Sequence, residues 1–161
     1  MTQTWTGGCQ CGAIRYRFTA RPGGAHLCHC RMCQKAFGGF YAPLVGGPRD
    51  TFEITRGTLA TFMSSDIAER GFCARCGTPL TFGYVGEGHG IAVSIGSLDD
   101  PQAFPPVDQH GVEARLSWVN GLGHLPDRRT TEAESPQTAA AIAASNHQHP
   151  DHDTAVWPDP S

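Results

Sequence analysis

Seven cysteines carry most of the chemistry legible in this chain, and their spacing sorts them. "CQC" sets Cys9 and Cys11 one residue apart, "CARC" sets Cys73 and Cys76 two apart, and "CHCRMC" packs Cys28, Cys30 and Cys33 into six residues. Two thiolates so close in sequence can take two corners of a tetrahedron, and a CxxC knuckle followed by a glycine, here Gly77, suits that role. Two such pairs make a four-thiolate centre of the closed, structural kind that zinc occupies. It would tie the start of the chain to a knuckle far along it. The triple Cys28, Cys30 and Cys33 leaves one position of a second ion open, the arrangement typical of catalytic zinc. Three thiolates more than cancel the charge of Zn²⁺, which makes it a poor Lewis acid. Such an ion can still capture an incoming thiol and hold it as thiolate at neutral pH. The chemistry expected of it is sulfur chemistry rather than hydrolysis.

Several alternatives stand beside this division into four and three. The cysteines could be buried or reactive without metal, or the four could hold an iron–sulfur cluster. His26 or His29 could close the triple as a fourth ligand. His29, between two ligands, reads as a proton donor beside the open site or as a solvated residue of the ligand loop. Arg31, Lys35 and Arg70 read as clamps for the carboxylates of a peptide thiol or as surface charges. "FMSSD" gathers Ser64, Ser65 and Asp66 in a turn that caps strand ends. The tail gathers His147, His149 and His152 with Asp151 and Asp153, a surface segment that could bind metal adventitiously or fold over the open zinc.

The elements that must position these groups are mostly strands. In "AIRYRF", Ile14, Tyr16 and Phe18 alternate with Arg15 and Arg17, the period-two pattern of a half-buried strand. "AHLCHC" reads as a strand running into a helical or irregular turn at "RMCQKAFGG". "TFEITRG" and "LATFMSS" are strand-like, "RGFCARCGTPLTFGYV" holds a knuckle followed by a strand, and "IAVSIGSL" reads as buried. "VEARLSWV" alternates again, placing Val112, Ala114, Leu116 and Trp118 on one face, with Trp118 and Tyr16 as core aromatics. One helix is predicted late, with Ser135 as its cap, Pro136 at its first position and "QTAAAIAAS" after it.

The 161 residues suit one ordinary domain. Gly 20 and Pro 12 favour a turn-rich β chain over a helical bundle. A formal charge of -3 gives no footprint for nucleic acid. No apolar stretch is long enough to span a membrane, and the first residues lack a signal-peptide pattern. The expectation is a soluble, cytoplasmic protein, where such cysteine spacing points to metal before disulfides. The odd number of cysteines also argues against complete internal pairing.

"GGCQCGAIRYRF", "CHCRMCQKAFGG", "RGTLATFMSS", "RGFCARCGTPL" and "QHGVEARLSWV" followed by "GLGHLP" together resemble the glutathione-dependent formaldehyde-activating (GFA) family, which includes centromere protein V. The resemblance covers roughly residues 5 to 126 and takes in all seven cysteines. It implies a β-tent of small antiparallel sheets pinned by zinc over 1–126, with 127–161 as a C-terminal helix and tail. It further implies two zinc ions per chain, structural on Cys9, Cys11, Cys73 and Cys76 and catalytic on Cys28, Cys30 and Cys33. Its activity is a carbon–sulfur lyase reaction, which joins a thiol such as glutathione to an aldehyde such as formaldehyde. Two other classes stand against it: a non-catalytic, zinc-stabilised module that binds a thiol or a protein, and a redox enzyme of the methionine-sulfoxide reductase kind. The redox enzyme needs a reactive cysteine outside the zinc ligands.

Overall fold

The computed structural model describes residues 3–128 and 135–156; the rest of the appendage expected at 127–161 lies outside the described residues. Strands β1 (Gln3–Gly8), β2 (Arg15–Ala20) and β5 (Glu53–Arg56) form an antiparallel sheet in the order β1-β2-β5. A second sheet is built from β3 (Ala25–Cys28), β4 (Ala42–Gly47), β6 (Ala60–Ser65), β7 (Ala68–Phe72), β8 (Pro79–Tyr84), β9 (Ile91–Ser94) and β10 (Asp108–His110). Its order is β10-β3-β4-β9-β8-β7-β6, antiparallel except where β10 runs parallel to β3. Among the described residues two α-helices complete the frame: α1 (Arg31–Phe37) and α2 (Pro136–Ser145). The chain is mainly β, as its glycine, proline and alternation patterns imply.

The core lies between the two sheets. Tyr16 and Phe18 of β2 are fully buried and join Val45 of β4, Leu80 of β8 and Val93 of β9 in one cluster. Burying each such side chain contributes about 1.5–3 kcal/mol, so these few positions dominate the apolar stabilisation of the junction. Cys9, Cys11 and Cys73 belong to this same cluster, whereas Cys33 sits in a second one with Ala42, Leu44 and Ala92. The thiols are therefore part of the packing itself.

Three expectations need correction. The run after His110 is not a strand: Gly111 takes a left-handed conformation (φ 64°), and short 3₁₀ turns follow at Val112–Ala114 and Ser117–His124. A Cβ at Gly111 would lie 2.7 Å from the Cys30 backbone nitrogen, so both the turn and the close approach demand glycine. Trp118 accordingly leaves the core; it is 54 % exposed and meets the ring of Phe40 edge-on. Arg15 was placed on the polar face of β2 but is buried, because Asp99 and the tail's Asp153 close over it. Ser135 stands at the N-cap of α2 and Pro136 opens it, as the sequence predicts, but the Ser135 hydroxyl bonds Thr138 Oγ1 rather than capping a backbone N–H.

Candidate functional site

Cys9 and Cys11 lie in the turn after β1, and Cys73 and Cys76 in the knuckle between β7 and β8. The turn is closed by bonds from Cys9 N–H to the Ile14 carbonyl and from Gly12 N–H to the Cys9 carbonyl. At the knuckle, Gly77 (φ 76°) returns its N–H to the Cys73 carbonyl at 2.9 Å. Thr78 joins the two: its hydroxyl accepts from Gln10 N–H and meets Cys76 Sγ at 3.1 Å. All four sulfurs lie within 4.8 Å of one another, with 3.6 Å between Cys9 and Cys11 and 3.9 Å between Cys11 and Cys73. Tetrahedral zinc with Zn–S bonds of about 2.3 Å needs sulfur–sulfur edges of about 3.8 Å. The four residues fit such an ion.

The triple is assembled locally. β3 ends at Cys28, the chain turns, and Cys30 becomes the N-cap of α1, its sulfur accepting from Cys33 N–H at 3.4 Å. Cys33, on the first turn, thereby faces back toward Cys28, and the three sulfurs lie within 4.8 Å of one another. Neither His26 nor His29 belongs to this cluster, so among the described residues the thiols have three donors and no fourth. All seven cysteines are free of disulfides.

The thiols differ in acidity for physical reasons. Burial pushes Cys28 up to about 12, and it likewise pushes Cys9 well above the ordinary thiol value. Burial acts on Cys76 too, but hydrogen bonds from Thr78 outweigh it and bring the group down to about 6. Cys30 is also lowered: burial opposes this, and the Cys33 N–H and the charge of Arg70 help overcome it.

Arg70, read from sequence as either a clamp or a surface charge, is 4 % exposed. Its Nη2 donates to Cys33 Sγ at 3.3 Å, its Nε donates to Ser64 Oγ at 3.1 Å, and its guanidinium lies over the Phe82 ring. A cavity of about 720 Å³ opens over the three thiols and is also lined by Arg70, His26 and His110. That volume is of substrate size. A neighbouring cavity of about 390 Å³ shares Met32, Ser64 and Arg70 with it and adds Arg31 and Lys35. His29 does not line either one. It is fully buried, its ring Nε2 2.8 Å from Gln109 Oε1, and its backbone N–H donates to the His110 carbonyl. Sequence reasoning passed over Asp108 and His110, which β10 brings beside β3; nothing local in the sequence announces that parallel pairing.

Among the described residues, the tail does not line the cavity over the triple. His149 is buried beside the Cys9–Cys11 turn, its backbone N–H donating to the Gln10 carbonyl at 2.7 Å. Asp153 reaches Arg15 there, and Arg56 donates to Thr154.

The fold and the site thus define a mainly β protein with two cysteine clusters able to hold metal ions, one closed by four thiols and one with three. The family model for glutathione-dependent formaldehyde-activating enzymes matches residues 4–113, and the chain belongs to that family. In fold the chain resembles the crystal structure of a Rhodobacter sphaeroides protein solved as a Northeast Structural Genomics target, with a TM-score of 0.51 and 23 % identity. That match covers 65 % of this chain and 98 % of the other. Compared with curated proteins, the chain finds no match.

Proposed function

We propose that this protein forms or cleaves adducts between a small thiol of the glutathione kind and an aldehyde such as formaldehyde, as a carbon–sulfur lyase. The observation that carries this reading is the three-thiol cluster in the wall of a substrate-sized cavity, with no fourth donor among the described residues. Cys28, Cys30 and Cys33 would hold a zinc ion, which would supply the capacity to keep an incoming sulfur deprotonated. Zinc on Cys9, Cys11, Cys73 and Cys76 is structural in the same reading.

The chain's own residues do the rest. Arg70 offsets the negative charge gathered on the thiolates. Arg31 and Lys35, in the adjoining cavity, lie where the carboxylates of a peptide thiol would extend. Holding both reactants in one cavity turns a bimolecular encounter into an intramolecular one. The incoming thiol gives its proton to water, its sulfur attacks the carbonyl carbon, the carbon–oxygen π pair moves to oxygen, and that oxygen takes a proton back from water; cleavage is the reverse. Residues 1–126 form the catalytic module in this reading, with 127–161 as an appendage. The cysteine spacing, which suits metal rather than disulfides, favours a reducing, cytoplasmic setting. Among the described residues no helix is long and apolar enough to cross a membrane.

The test is exchange NMR on glutathione, formaldehyde and their adduct at equilibrium, which separates catalysis from the spontaneous reaction. Exchange faster with the protein than without it, and lost in Cys30→Ser, is the expected result. Thiol binding with no acceleration would replace this reading with that of a thiol-binding module.

A further inference from the structure

Strand β10 carries chemistry that the thiol clusters do not use. Its register pairs Asp108 with His26 and His110 with Cys28. Side chains alternate along a strand and agree in direction across a paired position. His26, Cys28, Asp108 and His110 therefore share one face of the sheet, while Gln109 and His29 meet on the other. The donor atoms of His26, Asp108 and His110 all lie within 4.8 Å of one another. His110 Nε2 is 3.3 Å from Asp108 Oδ1, and the two imidazole rings meet edge to face with centroids 4.7 Å apart.

Packing does not require this cluster. The side chains of Asp108 and His110 are 58 % and 59 % exposed, so neither fills the core. Yet the strand that presents them is held firmly. The His29 N–H bonds the His110 carbonyl at 2.8 Å, and Gln34 Nε2 ties the His29 carbonyl to the Ala114 carbonyl. Gly111 then packs against the Cys30 backbone. Two imidazoles and a carboxylate are thus presented together from an anchored backbone, and both imidazoles line the cavity that contains Cys28.

We propose that His26, Asp108 and His110 form a third metal site, distinct from both thiol clusters, which binds a divalent transition ion through two imidazoles and one carboxylate. This donor set suits borderline ions such as zinc, cobalt and nickel, whereas the thiol clusters are soft. Three protein donors leave positions free on the ion. With one carboxylate against a divalent cation, the site keeps net positive charge and is a stronger Lewis acid than a tris-thiolate zinc. It stands where a carbonyl oxygen of a bound electrophile could reach it; this last clause rests on the lyase reading, whereas the binding of metal does not.

The experiment uses full-length, untagged protein with its thiol clusters filled with zinc, then titrated with Co²⁺. The expected result is one further equivalent of cobalt per chain, with weak ligand-field bands and no sulfur-to-metal charge transfer. In the same sample, paramagnetic effects should reach the imidazole resonances of His26 and His110. Asp108→Asn and His26→Asn should each abolish that equivalent while the zinc content stays unchanged. Replacing His147 and His152 together with Asn should leave it in place. Three results would overturn the proposal: no further equivalent in the unmutated protein, paramagnetic effects confined to the tail, or an equivalent insensitive to Asp108→Asn and His26→Asn. The count is read without turnover, so a failed lyase assay and a failed third site are separate outcomes.

Discussion

A guanidinium taken out of water beside a cysteine sulfur is costly unless that sulfur is an anion, and Arg70 is in this position. Its Nη2 reaches Cys33 Sγ, and its Nη1 is buried with no hydrogen-bond partner among the described residues. A neutral thiol cluster would leave that charge poorly compensated; a metal-bound set of thiolates compensates it well. Groups that contact metal ligands in this way commonly set affinity by about 10- to 100-fold. Arg70→Met should therefore weaken metal binding at Cys28, Cys30 and Cys33 by about that factor and leave the four-thiol centre untouched, as read by chelator competition with Co²⁺. Arg70→Lys should recover only part, because an ammonium cannot serve Cys33 and Ser64 with one planar fork. The thiols were legible in the sequence because ligand spacing is local. Arg70 was legible only as a clamp or a surface charge; its burial against Cys33, 37 residues away, was not, because it depends on β7 lying between β6 and β8.

At the scale of elements, the segment 149–154 ties the turn after β1 to β2 and β5 through groups of unequal weight. Arg15 is 3 % exposed and donates to both Asp99 and Asp153, whose side chains are 13 % and 55 % exposed. Removing the charge of a buried partner costs about 3–5 kcal/mol, whereas a solvated partner is worth about 1 kcal/mol or less. Asp99→Asn should thus destabilise strongly and Asp153→Asn only slightly, a contrast that urea denaturation can measure. Acid should act in two stages. Burial, together with the charges of Arg15 and Arg56, lowers His149 below its ordinary 6.5. The docked segment is favoured above that pH and loses support as pH falls through and below it. Burial opposes the ionised form of Asp99, but hydrogen bonds from Arg15 and Thr6 and the charge of Arg15 prevail and hold it below 3.8. Its contribution persists above 3.8 and is lost only in stronger acid. Hydrogen exchange should show residues 148–154 opening first on acidification, and His149→Gln should remove that early step. The alternation of β2 foretold the buried Tyr16 and Phe18 correctly. It misplaced Arg15, since period-two patterning knows nothing of a tail more than a hundred residues later. The alternation after His110 misled for a related reason: one glycine in a left-handed turn ends a strand whatever the apolar pattern that follows it.

The two thiol clusters differ most in what they connect across the whole molecule. Cys9 and Cys11 lie in the turn that joins β1 to β2 of the small sheet, and Cys73 and Cys76 in the knuckle between β7 and β8 of the large one. An ion held by all four closes a loop of more than sixty residues and pins sheet to sheet inside the main core. The triple links β3 to α1, elements already joined by a short turn, and closes almost no loop. Metal affinity at a site absent from the unfolded chain is folding free energy, about 10 kcal/mol or more for structural zinc, set against a typical total stability of about 5–15 kcal/mol. Cys73→Ser should therefore unfold the protein or lower its Tm by tens of degrees, and Cys30→Ser should shift Tm by a few degrees at most, by calorimetry on the zinc-loaded forms. The same logic fixes the direction with pH. Burial raises Cys9 and Cys28 in the absence of metal, so an ion must displace protons from them in order to bind. Affinity at both clusters then falls as pH falls, and the stability conferred by the four-thiol ion is lost in acid. Cys76, brought to about 6 by its bonds to Thr78, is the thiol best prepared to take the first metal contact. Thr78→Val would remove the hydroxyl that lowers it and should move zinc release, followed with a chromogenic chelator, to higher pH. Unchanged release in that variant would mean that Cys76 acidity does not limit the closing of the two sheets around the ion.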